Sequence, residues 1–280
     1  ITSSYEHPAI SNVASFFEKQ NIEVSYINPD SNGIINPEDV YKELKSNTKL
    51  ISIMLANNEI GSINPLKDIV SLCKNENIFI HTDAVQCIGK KNLDMVDLNI
   101  DSLSLGAHKF YGPKGIGALY IKNGTSINPL IIGGGQEKGI SPGTENVALI
   151  SGMAYALEIS IKNIVDSTNH INKMESLFLK LLEETDIKYK INGANRLPGF
   201  INITFFDFDG HGLLLNLDMR NIAISFGSAC SSGSAKASNA LLSIGMDEKT
   251  ANSTVRITIG SFIKRDDIIN LVNTIKEIII

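Results

Sequence analysis

The residues with the most chemistry in them stand where apolar runs stop. Residues 101–121 read DSLSLGAHKFYGPKGIGALYI: a strand pattern ends at Gly106, His108 and Lys109 follow side by side, and a glycine-rich turn leads into a second apolar strand. Desolvation disfavours a charged amine, so a lone lysine in that position ordinarily snorkels to solvent. Other polar groups follow the ends of other apolar runs, Asn58 after residues 49–56 and Asp83 at the end of 78–83. An amine that attacks a carbonyl, with a carboxylate and amides close by, is the equipment for stabilising a carbanion.

The elements that must position these groups alternate. Helix patterns at 8–20, 36–47 and 65–77 are interleaved with strand patterns at 23–28, 49–56 and 78–83. Pro8 and Pro37 stand in first turns, and Asn36 is an N-cap. This rhythm predicts an α/β fold, a mostly parallel sheet with helices on both faces. Ligands bind beyond the carboxyl ends of such strands, which places Asn58, Asp83 and Lys109 along one rim. After residue 146 the pattern changes. Helices at 147–164 and 169–183 precede strands at 189–192, 199–206, 223–226 and 255–260, with helices near 210–218, 238–244 and 266–278. The expected division is a large domain over residues 1–163 and a smaller C-terminal α+β domain over 164–280.

Bulk composition narrows the function. The chain of 280 residues is 43% apolar with a net charge of −5, enough for a large core and without the basic footprint of a nucleic-acid binder. No apolar run approaches the roughly 20 residues that span a bilayer. Cys73, Cys87 and Cys230 are few and widely spaced, which fits a reducing cytoplasm rather than a disulfide framework, and no spacing suggests a metal site. The opening ITSSYEH has no initiator Met and reads as the end of a strand already under way, so a piece of a longer domain is expected.

Pyridoxal phosphate is the usual carbonyl partner of a nucleophilic lysine. It also needs a carboxylate on its ring nitrogen, which Asp83 can supply. Asn58 and Gln86 can bond its phenolic oxygen, and His7 can stack on its open face. Taken alone, each has an ordinary reading: Asp83 as a helix cap, His7 as a loop residue before Pro8, Asn57–Asn58 as turn chemistry. Cys230 differs, because the surrounding SFGSACSSGSAKAS is rich in Ser, Gly and Ala and suits an exposed, reactive thiol. Cys73 in a helix pattern and Cys87 beside a strand end read as packed thiols.

The motifs EHPAI, NNEIGSINP, HTDAVQCIGK, LGAHKFYGPKGIGALY, GGGQEKGISPGTEN, ISFGSACSSGS and VRITIG occur in this order along the whole chain. Together they resemble the cysteine desulfurases of the NifS/IscS type, fold-type-I pyridoxal phosphate enzymes among the class-V aminotransferases. The resemblance implies that Lys109 carries the cofactor, His7 stacks on it and assists proton transfer, and Asp83 pairs with its ring nitrogen. Asn58 and Gln86 would contact the phenolic oxygen. His108 and Thr144 would bind phosphate, Thr144 in the site of the other subunit of a homodimer. Arg256 would clamp the substrate carboxylate, with Asn58 beside it, and Cys230 would take the sulfur of L-cysteine and pass it to an acceptor such as an iron–sulfur scaffold.

The sequence departs from that pattern in places. The upstream phosphate-gripping turn of the family is absent, Gly106 stands where Ser is usual, and Ser141, Lys138 and Ser261 stand where Arg is common. The alternatives are a selenocysteine lyase, another class-V aminotransferase-like enzyme, or a degenerate relative with weak cofactor binding. Retention of Lys109, Asp83, His7, Cys230 and Arg256 favours a competent desulfurase.

Overall fold

The computed structural model describes residues 1–73, 76–227 and 237–280. Six strands, β1 (Thr2–Ser3), β2 (Tyr26–Ile27), β3 (Leu50–Ser52), β4 (Phe79–Asp83), β5 (Ser102–Gly106) and β6 (Gly117–Ile121), form one sheet in the order β2-β1-β3-β4-β5-β6. The first five run parallel and β6 returns antiparallel to β5. The helices between them begin where the sequence places caps. His7 caps α1 (Pro8–Glu18), Asn36 caps α2 (Pro37–Lys42) through Glu38 N–H, and Asp94 caps α4 (Met95–Leu98), while α3 (Leu66–Cys73) follows Pro65. Ile51, Ile53, Ile80 and Leu103 of the sheet region pack with Val40, Ile69 and Ile100 in a fully buried core.

Regular pairing covers only Leu50–Ser52 of the strand expected at 49–56. The chain stays extended beyond it, with Leu55 N–H on Asp83 O at 2.9 Å, and then turns at Asn57. The turn is set by Asn57 Oδ1, which accepts from Glu59 N–H and Ile60 N–H at 2.9 and 2.8 Å.

Two helices, α5 (Val147–Lys162) and α6 (Ile164–Glu183), meet at 69°. Helix α6 starts five residues earlier than its apolar pattern suggests. Asn163 serves both helices at once: its N–H closes α5 on Ile159 O and its C=O accepts from Ser167 N–H. The second sheet is antiparallel, with β7 (Tyr189–Asn192), β8 (Phe200–Phe205), β9 (Ser225–Phe226) and β10 (Thr254–Thr258) in the order β7-β8-β10-β9. It is covered by α6, α7 (Gly210–Asp218) and α10 (Arg265–Ile279), through Phe178, Leu182, Leu217 and Ile275. Two short helices, α8 (Asn239–Ser243) and α9 (Glu248–Asn252), instead place Ala240, Leu241 and Ala251 in the core of the first sheet.

The loop over residues 57–64 is pressed against β8. Gly61 has φ +84°, and a Cβ there would lie 2.5 Å from Phe200 Cβ, so only glycine allows this approach. It brings the rim of the first sheet next to β10.

Candidate active site

Four neighbouring parallel strands end on one rim. Beyond β1 stands His7, whose Nδ1 accepts from Ala9 N–H at 3.1 Å. Beyond β3 the two asparagines divide their roles: Asn57 makes the turn, and the buried Asn58 is left with its amide outside that turn. Asp83 ends β4 and pairs in register with Ser104 of β5. Its Oδ1 accepts from Val85 N–H at 2.9 Å, so the ordinary capping role is real and uses one oxygen. After β5 the chain tightens into a 3-10 turn over Ala107–Phe110, with Ala107 and Phe110 buried and Tyr111 at φ 63° ending it. That turn aims Lys109 into a cavity, with His108 at its mouth. The His108 ring lies over Gly106, where a Cβ would approach it to 3.3 Å, so the imidazole packs over the space that a side chain at 106 would take. Desolvation, then the charges of Lys109 and Lys114, hold the His108 imidazole below its usual range.

The cavity measures about 1030 Å³, and its walls include Gln86, Lys90, His108, Lys109, Ser225 and Arg256. Arg256 arrives from β10 in the second sheet. Its Nη1 donates to Asn58 O at 2.5 Å and its Nη2 to Ser225 Oγ at 3.0 Å. Lys90 Nζ donates to Gln86 O at 3.2 Å and stands 5.1 Å from the Phe200 ring centroid. Burial pushes the Lys90 ammonium down to about 8, and the charges of Lys109 and Arg256 push the same way.

Of the residues singled out from the sequence, Gln86, His108, Lys109 and Arg256 share the cavity. Asn58, Asp83 and His7 stand at the adjoining strand ends but not in its walls. Thr144 lies apart, on an exposed segment that also carries Leu130, Ile131 and Ile132. Cys230 lies outside the described residues. The donor set has the chemistry that the ring of pyridoxal phosphate calls for: the Lys109 amine and the Gln86 amide line the cavity, and the Asp83 carboxylate and the Asn58 amide stand at the adjoining strand ends. For the phosphate, this chain brings His108 to the cavity.

Sequence reasoning passed over Glu6, whose only signal is its place before His7. It is 8% exposed, and its Oε1 accepts from Ser3 Oγ and Met54 N–H at 2.5 and 2.8 Å. Its Oε2 is buried with no partner among the described residues. Burial pushes this carboxyl up to about 7, and the Asp83 charge adds to the effect. An acid raised in the folded state loses stability as pH climbs from its unfolded value through its folded one. Glu6→Gln removes that loss. Its thermal stability relative to the parent is therefore expected to improve between pH 5 and pH 8, by at most about 3 kcal/mol. Any fixed cost of the amide cancels in the difference, and a stability difference equal at both pH values in thermal melts would disprove the assignment.

Cys73 and Cys87 are buried and free. Burial pushes the Cys87 thiol up to about 12 and raises Cys73 as well, with Glu76 adding to the latter. Neither is a nucleophile at neutral pH.

The aminotransferase class-V family model matches residues 1–271. A protein of Clostridium botulinum named cysteine desulfurase IscS is 44% identical over the whole chain, which spans 71% of that relative. A Dictyoglomus turgidum protein of the same name is 41% identical, again over the whole chain and 71% of its own length. Among solved structures, a NifS-like protein superposes with a TM-score of 0.91 at 32% identity, covering 99% of this chain and 73% of the other. A structure described as SspA in complex with cysteine gives 0.81 at 37% identity, over 93% of this chain and 73% of the other.

Proposed function

Since the chain belongs to the class-V aminotransferases, and within them to the cysteine desulfurases, we propose how its residues divide that work. The enzyme uses pyridoxal phosphate to remove the sulfur of L-cysteine and release L-alanine. When bound, the cofactor supplies an electron sink for the substrate carbon. Lys109 holds it and moves protons at that carbon. Asp83 would hold the ring nitrogen by its carboxylate, Asn58 and Gln86 the phenolic oxygen, and His108 the phosphate. His7 covers the ring and assists proton transfer. Arg256 clamps the substrate carboxylate, and its bonds to Asn58 O and Ser225 Oγ fix the plane of the guanidinium for a bidentate grip. Cys230, as thiolate, would attack the substrate sulfur; the carbon–sulfur bond breaks, its electron pair stays with the substrate carbon that is protonated on the way to alanine, and the outer sulfur of the resulting persulfide passes to an acceptor such as an iron–sulfur scaffold.

The observation that carries this reading is Arg256: the second sheet delivers it to the cavity that Lys109 enters from the first. The exposed Leu130, Ile131 and Ile132 support a homodimer in which Thr144 serves the site of the other copy. The two buried free thiols support a reducing compartment, the cytoplasm.

The test is an absorbance spectrum of the purified full chain before and after L-cysteine, with alanine measured alongside. A near-ultraviolet to visible band that changes on addition, with alanine and sulfur appearing in equal amounts, is the expected result. A band that ignores L-cysteine, or no alanine, sinks the reading.

A further inference from the structure

One cation in the cavity wall has no part in the division of roles above. Lys90 stands on the turn that follows β4, its N–H on Cys87 O at 3.0 Å. It is partly buried, and its Nζ donates to Gln86 O at 3.2 Å and lies 5.1 Å from the centroid of the Phe200 ring. An ammonium carries three donors. Among the described residues Lys90 forms no ion pair, and Asp166, the one carboxylate in the cavity walls, is not a partner.

The second sheet shows which end of the cavity Lys90 serves. Phe200 on β8 pairs in register with Thr258 on β10, and Asn202 pairs with Arg256. Residues opposite one another in a ladder, and residues two apart on one strand, share a face. Phe200, Thr258 and Arg256 therefore lie on one face of that sheet, and all three line the cavity. By lying over Phe200, the Lys90 ammonium reaches from the first sheet to the face that carries Arg256. The electrostatics agree. Desolvation lowers the Lys90 ammonium first, and the charges of Lys109 and Arg256 add to it against the opposing pull of Cys87. His108 instead feels Lys109 and Lys114. Lys90 thus belongs with Arg256 rather than with His108. Cations gathered in a partly desolvated wall repel one another, and an anion entering between them relieves that cost.

We propose that Lys90 is a second cationic contact for the substrate carboxylate, sharing that group with Arg256 and so setting the preference of the cavity for amino acids over plain amines. The proposal rests on the role given above to Arg256.

The test uses full-chain holoenzyme carrying Lys90→Met, Lys90→Gln or Lys90→Arg. L-Alanine and cysteamine are each titrated against the cofactor absorbance band. The first has the carboxylate and no sulfur, the second the sulfur and no carboxylate. KM and kcat for L-cysteine, cofactor content and thermal melts are read alongside. Met keeps an apolar stem over Phe200 without the charge, and Gln keeps a neutral donor for Gln86 O. In both, the Kd of L-alanine and the KM for L-cysteine are expected to rise about 10- to 100-fold, the scale of one charge-assisted hydrogen bond. The Kd of cysteamine and kcat stay within about threefold, the cofactor content stays at the parent level, and the melting temperature does not fall. Lys90→Arg restores most of the affinity for L-alanine.

Parental affinity for L-alanine in Lys90→Met and Lys90→Gln overturns the proposal. So does an equal weakening of L-alanine and cysteamine, which would make the residue a structural one. Loss of cofactor with L-alanine affinity intact also overturns it and gives the cation to the cofactor phosphate. The titrations need no sulfur removal. A parent enzyme that binds L-alanine but makes none from L-cysteine therefore sinks the desulfurase reading, and the Lys90 contact is still decided by the two ligands.

Discussion

Lys109→Ala yields a folded protein without the near-ultraviolet to visible band and with alanine formation from L-cysteine reduced by at least about 10³-fold. The backbone gives the reason to expect a folded product. Lys109 is one residue of a 3-10 turn whose hold on the core comes from its neighbours, Ala107 and Phe110, both buried. Tyr111 at φ 63° and the Gly112 N–H on Ala107 O close the turn without the lysine side chain. Truncation therefore leaves the backbone closure of the turn and its buried anchors in place. The large effect follows from the rest of the cavity. Lys90 is the other amine among its walls, but it is engaged with Gln86 O and the Phe200 ring. A difference spectrum of parent and variant after incubation with excess cofactor checks the result. A band of parental intensity and position in Lys109→Ala would remove Lys109 as the attachment site, with Lys90 the next residue to replace.

What the sequence disclosed and what it withheld divide along a physical line. The parallel sheet was legible because apolar runs alternate with helices that open on recognisable caps, as with Asp83 ahead of Val85 and Asn36 ahead of Glu38. The rim followed, since parallel strands end on one side. The start of α6 falls five residues before its apolar pattern, because Asn163 ends one helix and starts the next and apolar periodicity does not register that. The motifs named Arg256 as a clamp, but its partners Asn58 O and Ser225 Oγ come from opposite parts of the chain, and no local pattern encodes such a contact. Glu6 and Glu59 were passed over for the same reason. An isolated acid is read as solvent-facing until tertiary packing buries it, and both are buried by elements far away in sequence. Asn57 and Asn58 look alike in the sequence. Only the turn hydrogen bonds separate the residue that shapes the loop from the one beside the site.

Cys230→Ala is expected to keep the cofactor band and its response to L-cysteine while alanine and sulfide formation fall by at least about 10²-fold. The two halves of this outcome come from different parts of the molecule. Cofactor binding is proposed to rest on the strand ends at Asp83 and Lys109, and substrate binding on Arg256, which come from other elements of the chain. Sulfur removal needs a thiolate, and the other two cysteines offer no substitute. Cys87 is wholly buried with its thiol pushed up to about 12. Cys73 faces the core from α3, its thiol also raised by burial. Because a thiolate in water is the reactive form, a buried thiol raised that far is both unreachable and protonated. Cys230→Ser sharpens the comparison: it restores the shape and a hydroxyl but no sulfur, and it is expected to be as inactive as the alanine variant. Mass spectrometry of the parent after a single turnover without reductant should find an added 32 Da on the Cys230 peptide, the mass of one sulfur atom, and none on the Cys73 or Cys87 peptides. Parental alanine formation in Cys230→Ala, or the added sulfur on Cys87, would move the nucleophile elsewhere.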